Sequence, residues 1–215
     1  MPVIDSPDYH DYFIKDGRFI GEFDQMYRNV EDPWQCAGKS GSLYNDLLLA
    51  LVKHAVPHGG VILEAGCGLG ALAARIRDAN PDAAVKACDV SPTAIERARA
   101  QHPGVEFFVQ DLTRLEEAPL TDGSLDVVTL AQVLWCVLPS TPAILRNIFR
   151  LLKTQGSLLV LQQFYSDAEQ QYGRGIVEDP EDFLEMLRAA GFHIQQQIYV
   201  NRERPLNLLA WAVKR

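Results

Sequence analysis

The stretch Val61-Ile62-Leu63-Glu64-Ala65-Gly66-Cys67-Gly68-Leu69-Gly70-Ala71 decides the fold. It opens on a short continuous apolar run, passes through glycines at every second position, and hands over to Leu72, Ile76 and Ala79 at helical spacing. An apolar run of this length bounded by turn residues reads as a buried parallel strand. Glycines supply the backbone conformations that a tight turn demands and let other groups approach without meeting a Cβ. The predicted unit is therefore strand, tight turn, helix.

Working outward, the same unit recurs. Downstream, 84–88 is predicted as a strand, and Ser91 as N-cap with Pro92 at the first helical position opens a helix through Ile95 and Ala98. A third strand is predicted over 105–109, a loop over the polar stretch 113–124, and a fourth strand over 125–130. Thr141-Pro142 repeats the cap-plus-proline signal before a helix that turns Ile144, Ile148 and Leu151 inward, and Gly156 precedes a fifth strand, 157–161. A helix from Pro180 carries Phe183, Leu187 and Ala190 and stops at Gly191. Two strand patterns follow, split by Asn201-Arg202-Glu203-Arg204-Pro205; in the first, Phe192, Ile194, Ile198 and Val200 alternate with outward residues. Upstream, Leu43, Leu47, Leu48, Leu51 and Val52 form one helical face between Ser42 and Pro57.

Strands alternating with helices mean a mainly parallel sheet with helices on both faces, because parallel neighbours need a crossover connection. The class expected is α/β, doubly wound, with a closing antiparallel hairpin. The first forty residues differ. Tyr9, Tyr12, Phe13, Phe19, Phe23, Tyr27 and Trp34 show no clean period, which suggests an aromatic cap lying over the sheet. One domain is expected over 1–215, with cap and first helix in 1–57 and core in 58–215.

Composition agrees with a folded globular chain: 47% hydrophobic and 22% charged over 215 residues. The net charge of −8 argues against nucleic-acid and anionic-membrane partners, since either would need a surplus of Lys and Arg on a binding face. Neither is expected. Cys36, Cys67, Cys88 and Cys136 are far apart and form no metal-binding pair, so a reducing, cytoplasmic setting is expected and no metal. No apolar run reaches the roughly 18 to 20 residues of a membrane span, and Asp5, Asp8 and Asp11 are unlike a signal peptide.

In open parallel sheets the ligand lies at the carboxyl ends of the strands, where the glycine turn stands. Gly66, Gly68 and Ala71 satisfy the dinucleotide pattern G-x-G-x-x-[G/A], with Asp89 near the place of a ribose-binding acid. Three acids favour another ligand. Glu64, two residues before the first glycine, would repel a pyrophosphate but could pair with a cationic amino group. Asp89 ends the second strand and can accept from two ribose hydroxyls. Asp111, in Val109-Gln110-Asp111-Leu112, can accept from an adenine amino group. Together they suit a cationic, amino-acid-bearing nucleoside.

Glu64-Ala65-Gly66-Cys67-Gly68-Leu69-Gly70, then Cys88-Asp89-Val90-Ser91, then Val109-Gln110-Asp111-Leu112 resembles the class I S-adenosylmethionine-dependent methyltransferases over about residues 61–160. The resemblance implies a Rossmann-like, seven-stranded mixed sheet with the last strand inserted antiparallel, and S-adenosylmethionine as cofactor. It implies roles: Glu64 at the methionine amino end, Gly66 and Gly68 along methionine and ribose, Asp89 on the ribose hydroxyls, Val90 and Leu112 on the adenine faces, Asp111 on the adenine amino group. Gln132, in the turn after the fourth strand, could orient donor or acceptor. Asp126 opens its strand at the far end and is assigned a structural role. The tetrapeptides Asn-Pro-Pro-Tyr and Asp-Pro-Pro-Tyr of enzymes that methylate adenine or glutamine nitrogen are absent.

Phe23-Asp24-Gln25-Met26-Tyr27, Glu31-Asp32-Pro33-Trp34 and Ser42-Leu43-Tyr44 are similar to the N-terminal lid of the nodulation protein S group, which implies a lid role for 9–40. Trp34 or Tyr27 could meet a sulfonium by cation-π attraction, and Lys39 could neutralise an acidic acceptor. His10 and Tyr27 are the candidate bases, needed for an oxygen acceptor and not for a neutral amine. The expected activity is metal-independent methyl transfer to nitrogen or oxygen of a small-molecule acceptor, such as a sugar or another biosynthetic intermediate, with the oligomeric state open. An NAD(P)-dependent oxidoreductase and a non-catalytic nucleoside-binding module are the alternatives; against the first, no tyrosine has a lysine four residues on.

Overall fold

A computed structural model describes residues 5–35, 42–165, 169–170, 172–201 and 206–215. Lys39 and Cys36, and most of the turn after Asn201, lie outside the described residues. The elements run β1 (Ile14–Lys15), β2 (Arg18–Phe19), α1 (Phe23–Asn29), α2 (Leu43–Ala55), β3 (Val61–Ala65), α3 (Ala71–Ala79), β4 (Ala84–Asp89), α4 (Pro92–Gln101) and β5 (Glu106–Val109). They continue with β6 (Leu125–Ala131), α5 (Leu134–Val137), α6 (Thr141–Leu151), β7 (Leu152–Phe164), α7 (Pro180–Ala189), β8 (Phe192–Val200) and β9 (Leu206–Lys214).

The main sheet has seven strands in the order β5-β4-β3-β6-β7-β9-β8; β3 through β7 pair in parallel, and β9 runs antiparallel to both β7 and β8. This is the Rossmann-like α/β sheet expected. β1 and β2 form a separate short hairpin. The strand order reverses at β3, whose neighbours are β4 and β6, so a crevice opens beyond its carboxyl end. There the glycine turn stands.

Helices cover both faces. On one, Leu48 and Val52 of α2 and Ile76 of α3 pack against Ile62, Val127, Leu159 and Trp211. On the other, Ile144, Leu145 and Ile148 of α6 and Phe183, Leu184 and Leu187 of α7 pack against Leu63, Val128, Leu158 and Ala212. Ser42 caps α2 through Asn45 N, and Ser91 caps α4 through Ala94 N, as the sequence predicts. Asp126, at the amino end of β6, accepts from Val61 N at 2.8 Å and Lys153 Nζ at 2.7 Å, which ties β3 and β7 to β6 away from the crevice.

Four local expectations change. Thr141 is not a cap: residues 138–140 already form a helical turn, so its hydroxyl bonds back to Val137 O at 3.4 Å. Part of the predicted loop 113–124 winds into a 3-10 turn, Leu112–Glu117, capped by Asp111. β7 is longer than 157–161: it begins at Leu152, opposite Leu125 of β6, and reaches Phe164 because β9 pairs with it from Ser157 to Phe164. In β8 the alternation breaks. A register shift between Ile194 and Gln196 places Phe192 and Ile194 with one core cluster and Ile198 and Val200 with the other. One extra residue reverses the side on which later side chains emerge.

Candidate donor site

The turn after β3 is held by backbone. Gly66 N and Cys67 N both donate to Cys88 O, at 2.8 and 2.9 Å, so the end of β4 fixes the turn. Gly66 and Gly68 have φ of +81° and +53°, in the left-handed region that favours glycine. A Cβ on Gly66 would stand 2.6 Å from Val133 Cγ2, and one on Gly68 would stand 2.6 Å from the Tyr27 hydroxyl oxygen. These two positions need glycine for conformation and for space.

Asp89 links the turn to the next helix. Its Oδ2 accepts from Gly68 N at 2.9 Å and its Oδ1 from Ser91 N at 3.0 Å. An ionised carboxylate has about four lone-pair sites, so two such bonds leave capacity for hydroxyl donors. Burial raises its pKa, while the amides of Ser91, Gly68 and Val90 pull the other way.

Glu64 lies beneath the turn, only 3% exposed, and its Oε2 is buried with no hydrogen-bond partner. Burial first, then the charge of Asp89, pushes its pKa up to about 8 against the opposing Ala73 amide. A carboxyl so placed stays neutral near pH 7 until a cation arrives to favour its charged form. Glu64 and Asp89 thus each present a part-satisfied carboxyl to the glycine turn, that of Glu64 with its Oε2 unbonded. An orphaned buried carboxyl oxygen beside a Cβ-free cradle fits a donor that carries an ammonium group and hydroxyls.

The third acid stands farther along the edge. Asp111 Oδ1 accepts from Thr113 N and Thr113 Oγ1, both at 2.8 Å, while Gln110 Nε2 fastens the same turn to Asp111 O and Arg114 O. Val90 is 42% exposed, an open apolar surface between Asp89 and Ser91, whereas Leu112 is buried in the core. Gln132 has φ of +61°, and its amide is occupied: Nε2 donates to Asn207 Oδ1 at 3.1 Å, and Oε1 accepts from Gln163 N at 2.9 Å.

Above the turn lies the cap. Tyr27, 3% exposed, sets its hydroxyl over Gly68 and accepts from Trp34 Nε1 at 3.0 Å. Trp34 meets Tyr9 and Phe13 edge-on, with ring centroids 5.1 and 5.3 Å away. Phe19 stacks on Tyr172, at 5.7 Å, so the cap reaches the segment after β7. The Tyr165 and Tyr172 hydroxyls are pushed above the usual phenol range, chiefly by burial. Trp135 donates to Gln163 O at 2.9 Å and packs near Phe164, in the core. His10 stands outside the cluster, its side chain 62% exposed, with Nδ1 2.7 Å from Asp8 Oδ1 and its ring stacked on Tyr9.

The structure therefore gathers Glu64, Gly66, Gly68, Asp89, Tyr27 and Trp34. It sets Val90 and Asp111 along the neighbouring strand ends, and leaves Leu112 in the core and His10 at the outer rim. Sequence reasoning missed Asp24, Gln162 and Asn207. Asp24 accepts from Ser91 Oγ and Thr93 N at 2.8 and 2.9 Å, binding the cap to α4. Gln162 and Asn207 are buried amides in otherwise apolar strands, and that misfit was the available signal.

Residues 62–156 match the family model described as a methyltransferase domain. The malonyl-[acyl-carrier protein] O-methyltransferase of Herminiimonas arsenicoxydans is 29% identical over 177 residues, covering 77% of this chain and 66% of that protein. The human tRNA N(3)-cytidine methyltransferase METTL2B is 36% identical over 124 residues, covering 53% of this chain and 32% of its own length. The chain thus spans between about a third and two thirds of these curated relatives. Among solved structures, the N-methyltransferase NodS of Bradyrhizobium japonicum WM9, in complex with S-adenosyl-L-homocysteine, superposes with a TM-score of 0.67 at 18% identity, covering 86% of this chain and 92% of that one.

One expectation is overturned here. The acidic balance of the chain argues against a nucleic-acid partner, yet a relative that matches half of it is named for methylating tRNA. Net charge sums over the whole surface, whereas phosphate contacts need only a local group of Lys and Arg, on this domain or beyond it. Among the described residues no helix is long and apolar enough to cross a membrane.

Proposed function

We propose, from the match of residues 62–156 to the methyltransferase-domain family model, that the chain is a class I S-adenosylmethionine-dependent methyltransferase and that it methylates nitrogen or oxygen of a small-molecule acceptor without a metal. S-adenosylmethionine supplies an electrophilic methyl group on a cationic sulfonium. The chain's own part is to hold, orient and shield. Glu64 takes the amino end of the donor, Asp89 the ribose hydroxyls, Gly66 and Gly68 the close backbone approach, Val90 an adenine face, and Asp111 the adenine amino group. Leu112 acts from the core, through the shape of the turn that Asp111 caps.

The observation that carries this reading is the unpartnered, buried Glu64 oxygen beside the glycine turn, roofed by the Tyr27 and Trp34 pair. Tyr27 and Trp34 keep water from the donor and offer ring faces to its charge, an attraction worth roughly 0.5 to 2 kcal/mol. Tyr27 is favoured over His10 as a group acting on the acceptor, since its hydroxyl lies against Gly68. Gln132 serves by shaping the turn, its amide being bound to Asn207 and Gln163. The aromatic rim of Tyr9, Phe13, Phe19 and Tyr172 supports a small acceptor, and the relatives named for O- and N-methylation support either atom. The free, buried Cys67 and Cys88 support a reducing, cytoplasmic setting.

Calorimetry with S-adenosylhomocysteine and NADH tests the donor; binding of the first and not the second is expected. A tritium-transfer screen over amines, sugars, carboxylic acids and tRNA, with and without EDTA, tests the rest. Transfer to tRNA alone defeats the small-molecule acceptor, and turnover lost in EDTA and restored by magnesium defeats the metal-free route.

A further inference from the structure

The cap touches the floor of the donor site through the Tyr27 hydroxyl over Gly68, and what holds it there belongs largely to α4. Arg97 Nη1 donates to Tyr27 O at 3.1 Å and to Val30 O at 3.5 Å, and Nη2 donates to Glu31 O. The last carbonyls of a helix lack intrahelical donors and carry the negative end of its dipole, so a guanidinium there is favoured as donor and as cation. At the other end of α1, Asp24 accepts from Ser91 Oγ and Thr93 N at the start of α4, and pairs with Arg28 at 2.6 Å. Ser91 is also the residue whose amide donates to Asp89. Cap and floor are thus tied to the same helix start.

We infer that Arg97 is a positioning residue of the donor site: by gathering the carbonyls of Tyr27, Val30 and Glu31 it fixes the Tyr27 hydroxyl over Gly68, so donor affinity depends on a guanidinium bonded to the cap. This rests on reading the glycine turn as the donor site. Arg97 reaches Tyr27 through backbone, which no substitution at Tyr27 can imitate, and its planar fork spreads donors over Nη1 and Nη2 to span three carbonyls, whereas an ammonium must reach them from a single atom.

The test is a double-mutant cycle read by calorimetry with S-adenosylhomocysteine, with amide exchange on the same ligand-free proteins. Arg97→Ala should weaken binding about tenfold or more, and Arg97→Lys should recover part of the loss. In a Tyr27→Ala background, Arg97→Ala should add less than about twofold, because the group it positions is gone. Exchange over 23–30 should quicken in Arg97→Ala while β4 keeps its protection; if β4 loosens, Arg97→Lys carries the comparison. Binding unchanged or tightened by Arg97→Ala overturns the inference, as does a full-sized effect in the Tyr27→Ala background. Wild type that binds no S-adenosylhomocysteine refutes the donor reading instead; unaltered exchange over 23–30 in Arg97→Ala then separately refutes the positioning.

Discussion

The floor and the roof of the donor site are built on different plans. In the floor, backbone grips backbone where Gly66 and Cys67 hang from Cys88 O, and a single carboxylate, that of Asp89, gathers the amides of Gly68 and Ser91. The roof hangs on side chains, with Tyr27 bonded by Trp34, its helix bound through Asp24 and Arg97, and its rings packed edge-on. Backbone contacts between parallel strands cannot be lost singly without disturbing the sheet, whereas side-chain contacts can. A rigid floor with a separable roof lets a ligand enter and leave while the binding geometry stays fixed.

Breaking the floor should cost most. Asp89→Ala removes the acceptor for Gly68 and Ser91 as well as the proposed ribose bonds, and S-adenosylhomocysteine affinity should fall by about 1.5 to 3 kcal/mol, read by calorimetry. Affinity as in wild type would separate Asp89 from the ribose and leave it a purely structural link.

Glu64 sharpens the contrast through pH. Its folded pKa, raised to about 8, lies above the unfolded value near 4.5, so the folded state holds the extra proton and loses stability as pH rises between them. Glu64→Gln should therefore lie near wild type at pH 5 and gain about 3 to 4 kcal/mol on it by pH 8 in ligand-free denaturation, while binding the donor more weakly. Calorimetry in buffers of different ionisation enthalpy should find a proton released when S-adenosylmethionine binds wild type at pH 7. A stability gap that does not change with pH would mean the carboxyl is already ionised in the folded protein.

The roof should give the smallest change. Trp34→Phe removes the indole donor to Tyr27 and little ring area, at a cost of about 0.5 to 1 kcal/mol in S-adenosylhomocysteine affinity. Amide exchange over 9–35 should slow on ligand addition by less in this variant than in wild type. Equal protection with and without ligand in wild type would make the roof a fixed part of the fold.

Legibility follows the same division. The strand, turn and helix around Gly66 were readable because periodicity, capping serine and glycine spacing are local signals, and the parallel sheet followed from their repetition. Asp89 was found because the end of a strand is a defined place. Arg97 and Asp24 were not, because their partners lie 66 to 70 positions away in sequence and nothing near them marks the pairing. The shift in β8 was hidden for a related reason: Gln195-Gln196-Gln197 carries no apolar residue whose side would reveal a flip.

The place of β9 bears on how the protein is made. It lies between β7 and β8, its residues 207–213 buried, yet it is the last of the strands to be synthesised. Until residue 214 has left the ribosome, the free edge of β7 has no neighbour and β8 has nothing to pair with. Nascent chains should therefore wait with an open, apolar edge, the state in which strands of different chains join. A pause in translation before codon 206 would prolong that exposure, and a chaperone that shields sheet edges should raise the yield of this protein more than that of a parallel fold completed in sequence order.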